Sequence, residues 1–236
     1  MADPTHPDEP HTNGVGARLN ALRAGVLGAN DGIVSTAGIV IGVAAATASR
    51  AAIATAGLAG LAAGAMSMAV GEYVSVSTQR DTEQAMVAKE VRELREEPEA
   101  ELDELTAMYA AKGLDASLAR EVAVQLTAHD ALGAHAAVEL GIDPENFTSP
   151  MHAALASLVS FTIGALLPIL AILLSSQPAR IWVTVVAVLA ALALTGFSSA
   201  RLGRSPVGRP VVRNLIGGVL AMGITYLVGR IVGTQV

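Results

Sequence analysis

Asp31 interrupts an otherwise apolar run, Gly25 to Ala46 (GVLGANDGIVSTAGIVIGVAAA), which has the length and hydropathy of a membrane-spanning helix. An ionisable group inside such a span is costly, and it marks an ion or proton pathway or, alternatively, structural pairing. Helical rise places Asp31 about 10 Å in from the start of its span, and Met68 falls at similar depth in the next apolar run. A carboxylate and a thioether at one level form a mixed hard and soft site of the kind Fe²⁺ accepts. Met66 and Met68 could equally be packing or lipid-facing residues. Glu72, one turn beyond Met68, either hands ions across the interface or simply sits at it.

A second group of acids lies further on. Glu90, Glu93 and Glu97 are spaced i, i+3 and i+7, and Glu101 and Glu104 are spaced i, i+3, so each set shares one helix face. Like charges on a face repel unless a cation binds between them, and oxygen ligands suit divalent ions. The alternative is a solvated acidic surface, with Arg92 and Arg95 available as partners. His135 and Glu139, at i and i+4 in AHAAVELG, could hold one ion, and the imidazole nitrogen favours a transition metal over calcium or magnesium. The pair could also be a plain surface contact. His129 and Asp130 are weaker candidates, and His6 and His11 carry no signal.

Five apolar stretches must position these groups. Ala24 to Ser49 and Ala51 to Ser75 come first, followed by Met151 to Ser176, Ile181 to Ala200 and roughly Val211 to Gly229, the last interrupted by Arg213 and Asn214. With 52% hydrophobic and 15% charged residues the chain reads as an all-α polytopic membrane protein. Residues 1–17 are polar and acidic without the features of a secretory signal, and are expected to be a disordered tail. Spans one and two then cover residues 18–78, an acidic helical domain 79–148, and spans three to five 149–236. No cysteine is present, which excludes thiolate metal sites and thiol redox chemistry.

The inserted domain differs from the rest in charge. Gln79 to Thr148 has 16 acids and 6 bases, a net of −10, whereas the remainder has 5 acids and 9 bases, a net of +4, together the −6 of the whole chain. That asymmetry favours a cationic partner and argues against nucleic acid. No proline falls between Ala51 and Glu97, so span two should continue as one helix into the insert. Pro98 should open the next helix and Gly113 close it, with one or two more after Asp115 as N-cap, ending at Gly141. Arginines at the N-terminal side of span one and in the span four to five loop outnumber Arg50 and Arg180 in the opposite loops. The positive-inside rule then puts the N-terminus and the insert in the cytoplasm and the C-terminus outside. Glycines at Gly38 and Gly42, and at Gly57, Gly60, Gly64 and Gly71, could serve either packing within one subunit or a dimer seam. Pro168 should kink span three.

The stretches GANDGIVSTAGIVIGVAAA, AAGAMSMAVGEYVSVSTQRDTE and DALGAHAAVELGI, with the Glu-rich insert between spans two and three, resemble the vacuolar iron transporter family, including its nodulin-like members. The resemblance runs from about Arg18 onward. It implies a five-span homodimer with a cytoplasmic three-helix metal-binding domain, exchanging Fe²⁺ or Mn²⁺ for protons. By motif it implies Asp31 and Met68 on the pathway, and Glu90, Glu93, Glu101, Glu104 and Glu139 as ligands in the domain. His135 stands where the plant-type pattern has methionine, and Ala24 and Gly60 stand where that pattern has acids, which leaves Asp31 with more of the proton coupling.

Together these readings give a transporter, not an enzyme, with no cofactor and with Fe²⁺, Mn²⁺, Co²⁺ or Zn²⁺ as substrate. The expected cycle collects metal on the acidic domain, guides it past Glu72, binds it at Asp31 and Met68, and releases it when Asp31 is protonated from the far side. Thirteen arginines against two lysines and abundant alanine suggest a GC-rich bacterial genome, hence the plasma membrane and export. The rival readings are a membrane-anchored iron-binding store and a metal sensor. The absence of any Glu-x-x-His weighs against a carboxylate-bridged di-iron site.

Overall fold

The computed structural model describes residues 15–203 and 205–233 and is built from helices alone. Seven α-helices are described: α1 Val15–Ala46, α2 Arg50–Glu96, α3 Pro98–Ala111, α4 Ala116–His135, α5 Pro150–Leu174, α6 Arg180–Leu202 and α7 Gly208–Gly233. Five of them, α1 from Gly25, α2, α5, α6 and α7, are long and apolar enough to cross a membrane. The expected disordered tail lies outside the described residues up to position 14, and α1 begins at Val15, a little before the boundary expected at residue 18. The chain divides into two compact units, Ser75–Ser149 and the stretches on either side of it.

In the membrane unit α1 is the central element, packing on α5, α6 and α7. Its core is built from Ile33, Ala37, Val40 and Ile41 with Ile53, Ile169, Ile172, Val188, Leu192 and Met222. Lipid offers no hydrophobic drive for helix association, so close backbone approach must supply the contact. Gly32 of α1 and Gly164 of α5 provide it: a Cβ on either would run into a backbone oxygen of the other helix, Phe161 O and Ala29 O respectively. Gly38 and Gly42 pack on Thr225 of α7, while Gly57, Gly60 and Gly64 pack on Val40, Ile39 and Phe161. Of the two open readings of the glycine motifs, these contacts favour packing within one subunit.

Two arginines tie the helix ends together. Arg50, at the start of α2, donates to Ser175 O at the end of α5 at 2.8 Å. Arg180, at the start of α6 and buried, donates to Ala44, Thr47 and Ala48 O at the end of α1 at 3.2, 2.8 and 3.1 Å. The last carbonyls of a helix have no partner of their own, and a guanidinium satisfies them while complementing the helix dipole. Both charges, counted as loop residues in the orientation argument, are therefore structural caps as well.

The insert unit holds the end of α2, α3 and α4. Pro98 occupies the first turn of α3, where its missing N–H costs nothing. Gly113, at φ 103°, makes the left-handed turn after α3 that side-chain-bearing residues avoid. Asp115 caps α4 as expected, accepting from Ser117 N and Leu118 N at 3.0 and 3.1 Å. Arg120 pairs with Asp103 and joins α4 to α3. α4 breaks at Asp130, whose backbone is extended (φ −158°, ψ 91°), and the Asp130 carboxylate accepts from Gly133 N at 2.9 Å, restarting the helix. A π-turn, Ala136–Leu140, follows and ends at Gly141 in the left-handed conformation. Pro168 lies inside α5 and is fully buried.

Candidate metal centre

Four acidic and imidazole side chains from three helices converge in the insert unit. Glu90 comes from the last part of α2, Glu101 from the first turn of α3, His135 from the end of α4 and Glu139 from the π-turn. The reversal at Pro98 returns the chain so that Glu101 faces back toward Glu90. The restart at Asp130 sets the phase of the final helical segment. π-turns are rare and concentrate at functional sites, and here the π-turn carries Glu139 one turn beyond His135. Alanines buried at positions 119, 123 and 136, with Leu105, let the helices approach closely around this group.

The geometry is that of converging lone pairs. His135 Nδ1 lies 2.9 Å from Glu90 Oε1, 3.6 Å from Glu101 Oε2 and 3.9 Å from Glu139 Oε2. One donor atom from each of Glu90, His135 and Glu139 falls within 4.8 Å of the others. Three of the four residues are buried, with exposures of 2% for Glu90, 7% for Glu101 and 0% for His135. Despite the 2.9 Å separation, neither Glu90 Oε1 nor His135 Nδ1 has a hydrogen-bond partner, and His135 Nε2 has none either. Buried polar atoms are nearly always satisfied. Ligand atoms around a first-row ion bound at about 2.1 Å lie roughly 3–4 Å apart, so small side-chain rotations would satisfy these atoms with a divalent cation.

The electrostatics point the same way. Burial, then the neighbouring carboxylates of Glu139 and Glu101, raises the Glu90 pKa to about 7. Burial, then Glu104, raises Glu101, with His135 pulling in the opposite direction. Among the described residues the imidazole of His135 is the one basic group within this cluster, and a hydrogen bond between Glu90 and Glu139 also favours the protonated form of Glu90. Lys89 is committed elsewhere, to Glu93 at 2.5 Å on the exposed surface, and Arg120 to Asp103. Such a site resists holding its charges bare and gains most from a cation.

The candidate residues are thus sorted. Glu90, Glu101, His135 and Glu139 come together. Glu93 and Glu104 stay at the margin, the first half-buried and paired with Lys89, the second exposed; both still contribute charge, Glu93 to Glu90 and Glu104 to Glu101. Glu97 and His129 are exposed. Asp130, weighed as a weak ligand, is a helix cap. Its signal was legible as an N-cap aspartate three residues before a glycine that leaves room for its carboxylate.

The candidates in the apolar helices are less closely grouped. Asp31 is half-buried beside the tight Gly32–Phe161 approach, and Ser35 Oγ donates to its backbone oxygen at 2.6 Å. No ion pair to Asp31 is found among the described side chains. Met68 packs against the cluster of Ala65, Phe161 and Ala165. Asp31 and Met68 therefore belong to helices that both meet Phe161. Met66 is exposed, and Glu72 is half-buried. The membrane unit also buries Thr36 and Ser157 with no partner for either hydroxyl.

A family model described as the VIT family matches residues 22–230 of the chain. The chain belongs to the VIT family. It is 44% identical over 212 residues to the "Vacuolar iron transporter" of Acanthamoeba castellanii, covering 88% of this chain and 77% of that one. It is 39% identical over 222 residues to "Vacuolar iron transporter homolog 1" of Oryza sativa subsp. japonica, covering 92% and 76%. It is 35% identical over 229 residues to "Vacuolar iron transporter homolog 4" of Arabidopsis thaliana, covering 97% and 92%. With five candidate spans it is a multi-pass member of that family of metal transporters, for which no catalytic activity is indicated.

Proposed function

We propose that this VIT family member moves Fe²⁺, and other divalent first-row ions such as Mn²⁺, out of the cytosol in exchange for protons. The observation that carries the reading is the cluster of buried Glu90, Glu101 and His135 with the more exposed Glu139, which combines oxygen donors with one imidazole. That set accepts Mn²⁺, Fe²⁺, Co²⁺ and Zn²⁺, and iron is the cargo in the names of the relatives. Glu93 and Glu104 supply the outer charge that draws the ion in.

In the proposed cycle the insert captures metal in the cytoplasm, Glu72 and the ends of the spans pass it inward, and Asp31 with Met68 binds it in the membrane. Proton arrival at Asp31 from the other side neutralises the carboxylate and releases the ion. A proton and a metal ion competing for one carboxylate is the minimal form of antiport. The arginine distribution supports a cytoplasmic N-terminus and insert and an external C-terminus, and the excess of arginine over lysine with abundant alanine supports the plasma membrane of a bacterium. A homodimer is supported by α2, which carries exposed Leu58, Met66 and Val70 on a helix little covered within one chain.

Flux in proteoliposomes tests this reading. A pH gradient should drive Fe²⁺ or Mn²⁺ movement in the wild type, and Asp31→Ala should remove it while calorimetric metal titration of the insert stays unchanged. Intact, pH-dependent flux in that variant would end the antiport reading and leave a metal store or sensor.

A further inference from the structure

The polar pair that interrupts the fifth span splits in the structure. Asn214 turns inward and donates to Leu192 O and Thr195 Oγ1 of α6, both at 3.4 Å. Arg213 instead lies exposed, one turn after the equally exposed Arg209. Neither arginine forms an ion pair among the described residues. Both line an open groove of about 620 Å³ with Gly208, Val212 and Ile216. The groove wall is apolar, with Val212 54% and Ile216 56% exposed, and exposed Val219 and Leu220 continue it along α7.

We propose that this groove binds the headgroup of an anionic phospholipid, with Arg209 and Arg213 on the phosphate and an acyl chain along Val212 and Ile216. A guanidinium on the lipid-facing side of a span must reach the headgroup layer and find an anion there. Two guanidiniums one turn apart offer fork-shaped donors suited to phosphate oxygens. Arg201, at the facing end of α6, stacks on Phe197 at 5.2 Å and adds positive charge at the same end of the hairpin, where Gly196 packs against Pro210 and Val211. An acidic protein segment would match the charge but not the apolar wall that continues along α7. Basic clusters at the end of a span attract anionic lipid by about 1 kcal/mol per arginine.

Electron spin resonance on the full chain in phosphatidylcholine vesicles tests the proposal by comparing spin-labelled phosphatidylglycerol with spin-labelled phosphatidylcholine. The wild type should prefer phosphatidylglycerol, Arg209→Gln and Arg213→Gln should each cut the preference by up to about fivefold, and added inorganic phosphate should leave it in place. Equal association of the two lipids with the wild type would overturn the proposal without any variant. So would a preference that survives the double substitution in protein of native helix content. Displacement by inorganic phosphate would reassign the groove to a free anion. A preference that appears only after Glu90, Glu93, Glu101 and Glu104 are neutralised would reassign it to the chain's own acidic insert.

Discussion

The two candidate ion-binding regions hold their acids in opposite ways. In the insert, Glu90 and Glu101 are buried against one another and against Glu139, around a histidine whose ring nitrogens lack hydrogen-bond partners. In the membrane unit Asp31 has no ion-pair partner among the described residues, on a helix packed mainly through glycines and aliphatic side chains. Crowding carboxylates raises the free energy of the empty site, which favours binding and retention of a divalent ion. A lone carboxylate carries less charge and exchanges its ion for a proton more readily. In the proposed cycle this difference would suit the insert to retention and the span to exchange.

Breaking the two regions separately should therefore give different defects. Asp31→Ala should abolish gradient-driven flux at every metal concentration while leaving insert binding intact, the largest single effect expected. Glu90→Gln or His135→Ala should weaken metal binding to the insert about 100-fold, a loss in the range seen when a supported metal site is disturbed. Flux in these variants should fall at low metal and recover at high metal, because capture is impaired and exchange is not. Isothermal titration and flux measured at two metal concentrations check both halves.

The crowding also gives the metal-free insert a pH dependence of definite sign. Glu90 has a folded-state pKa of about 7 against an ordinary 4.5, so the folded chain holds this proton longer than the unfolded chain. A raised carboxylate pKa stabilises fully below the unfolded value, and that stabilisation is lost as pH rises through the folded value. Metal-free protein should therefore lose insert stability between about pH 4.5 and pH 7, measured by hydrogen exchange at α3 and α4 amides. Bound metal should reverse the trend, because it replaces the proton. Glu90→Gln should flatten the metal-free profile while weakening metal binding, and a profile unchanged by that substitution would place the destabilising charge elsewhere.

Much of this arrangement is legible in the sequence, for identifiable reasons. The candidate spans follow from apolar runs of near-membrane length, and α2 continues well beyond its apolar run because no proline stops it before Pro98. Asp115 and Gly141 act as start and stop residues because their chemistry is local. What periodicity cannot decide is which acid on a face turns inward: Glu90 and Glu93 share a face by spacing, yet only Glu90 is buried, because Lys89 holds Glu93 at the surface. The break at Asp130 and the π-turn after His135 also lie beyond periodic reading, since both interrupt the period. Arg180 shows the same limit, for its burial against the end of α1 depends on a contact 132 to 136 residues away in sequence.

Lys89 offers the smallest and most discriminating test of the comparison. It lies on the surface beside the insert cluster, bonded to Glu93, and its own pKa is raised chiefly by that bond and further by the charges of Glu139 and Glu90. A fixed positive charge near a cation site opposes binding of the cation, so its removal should act in the opposite direction to loss of any acid. Lys89→Gln also frees Glu93 to turn toward the site. Exposed charges are screened by solvent and salt, which keeps the effect small. Metal affinity should rise by about twofold in low salt, and the gain should fade at high ionic strength. If instead affinity falls, Lys89 is holding Glu93 in the position the site needs, and Glu93 belongs among the working ligands rather than at the margin.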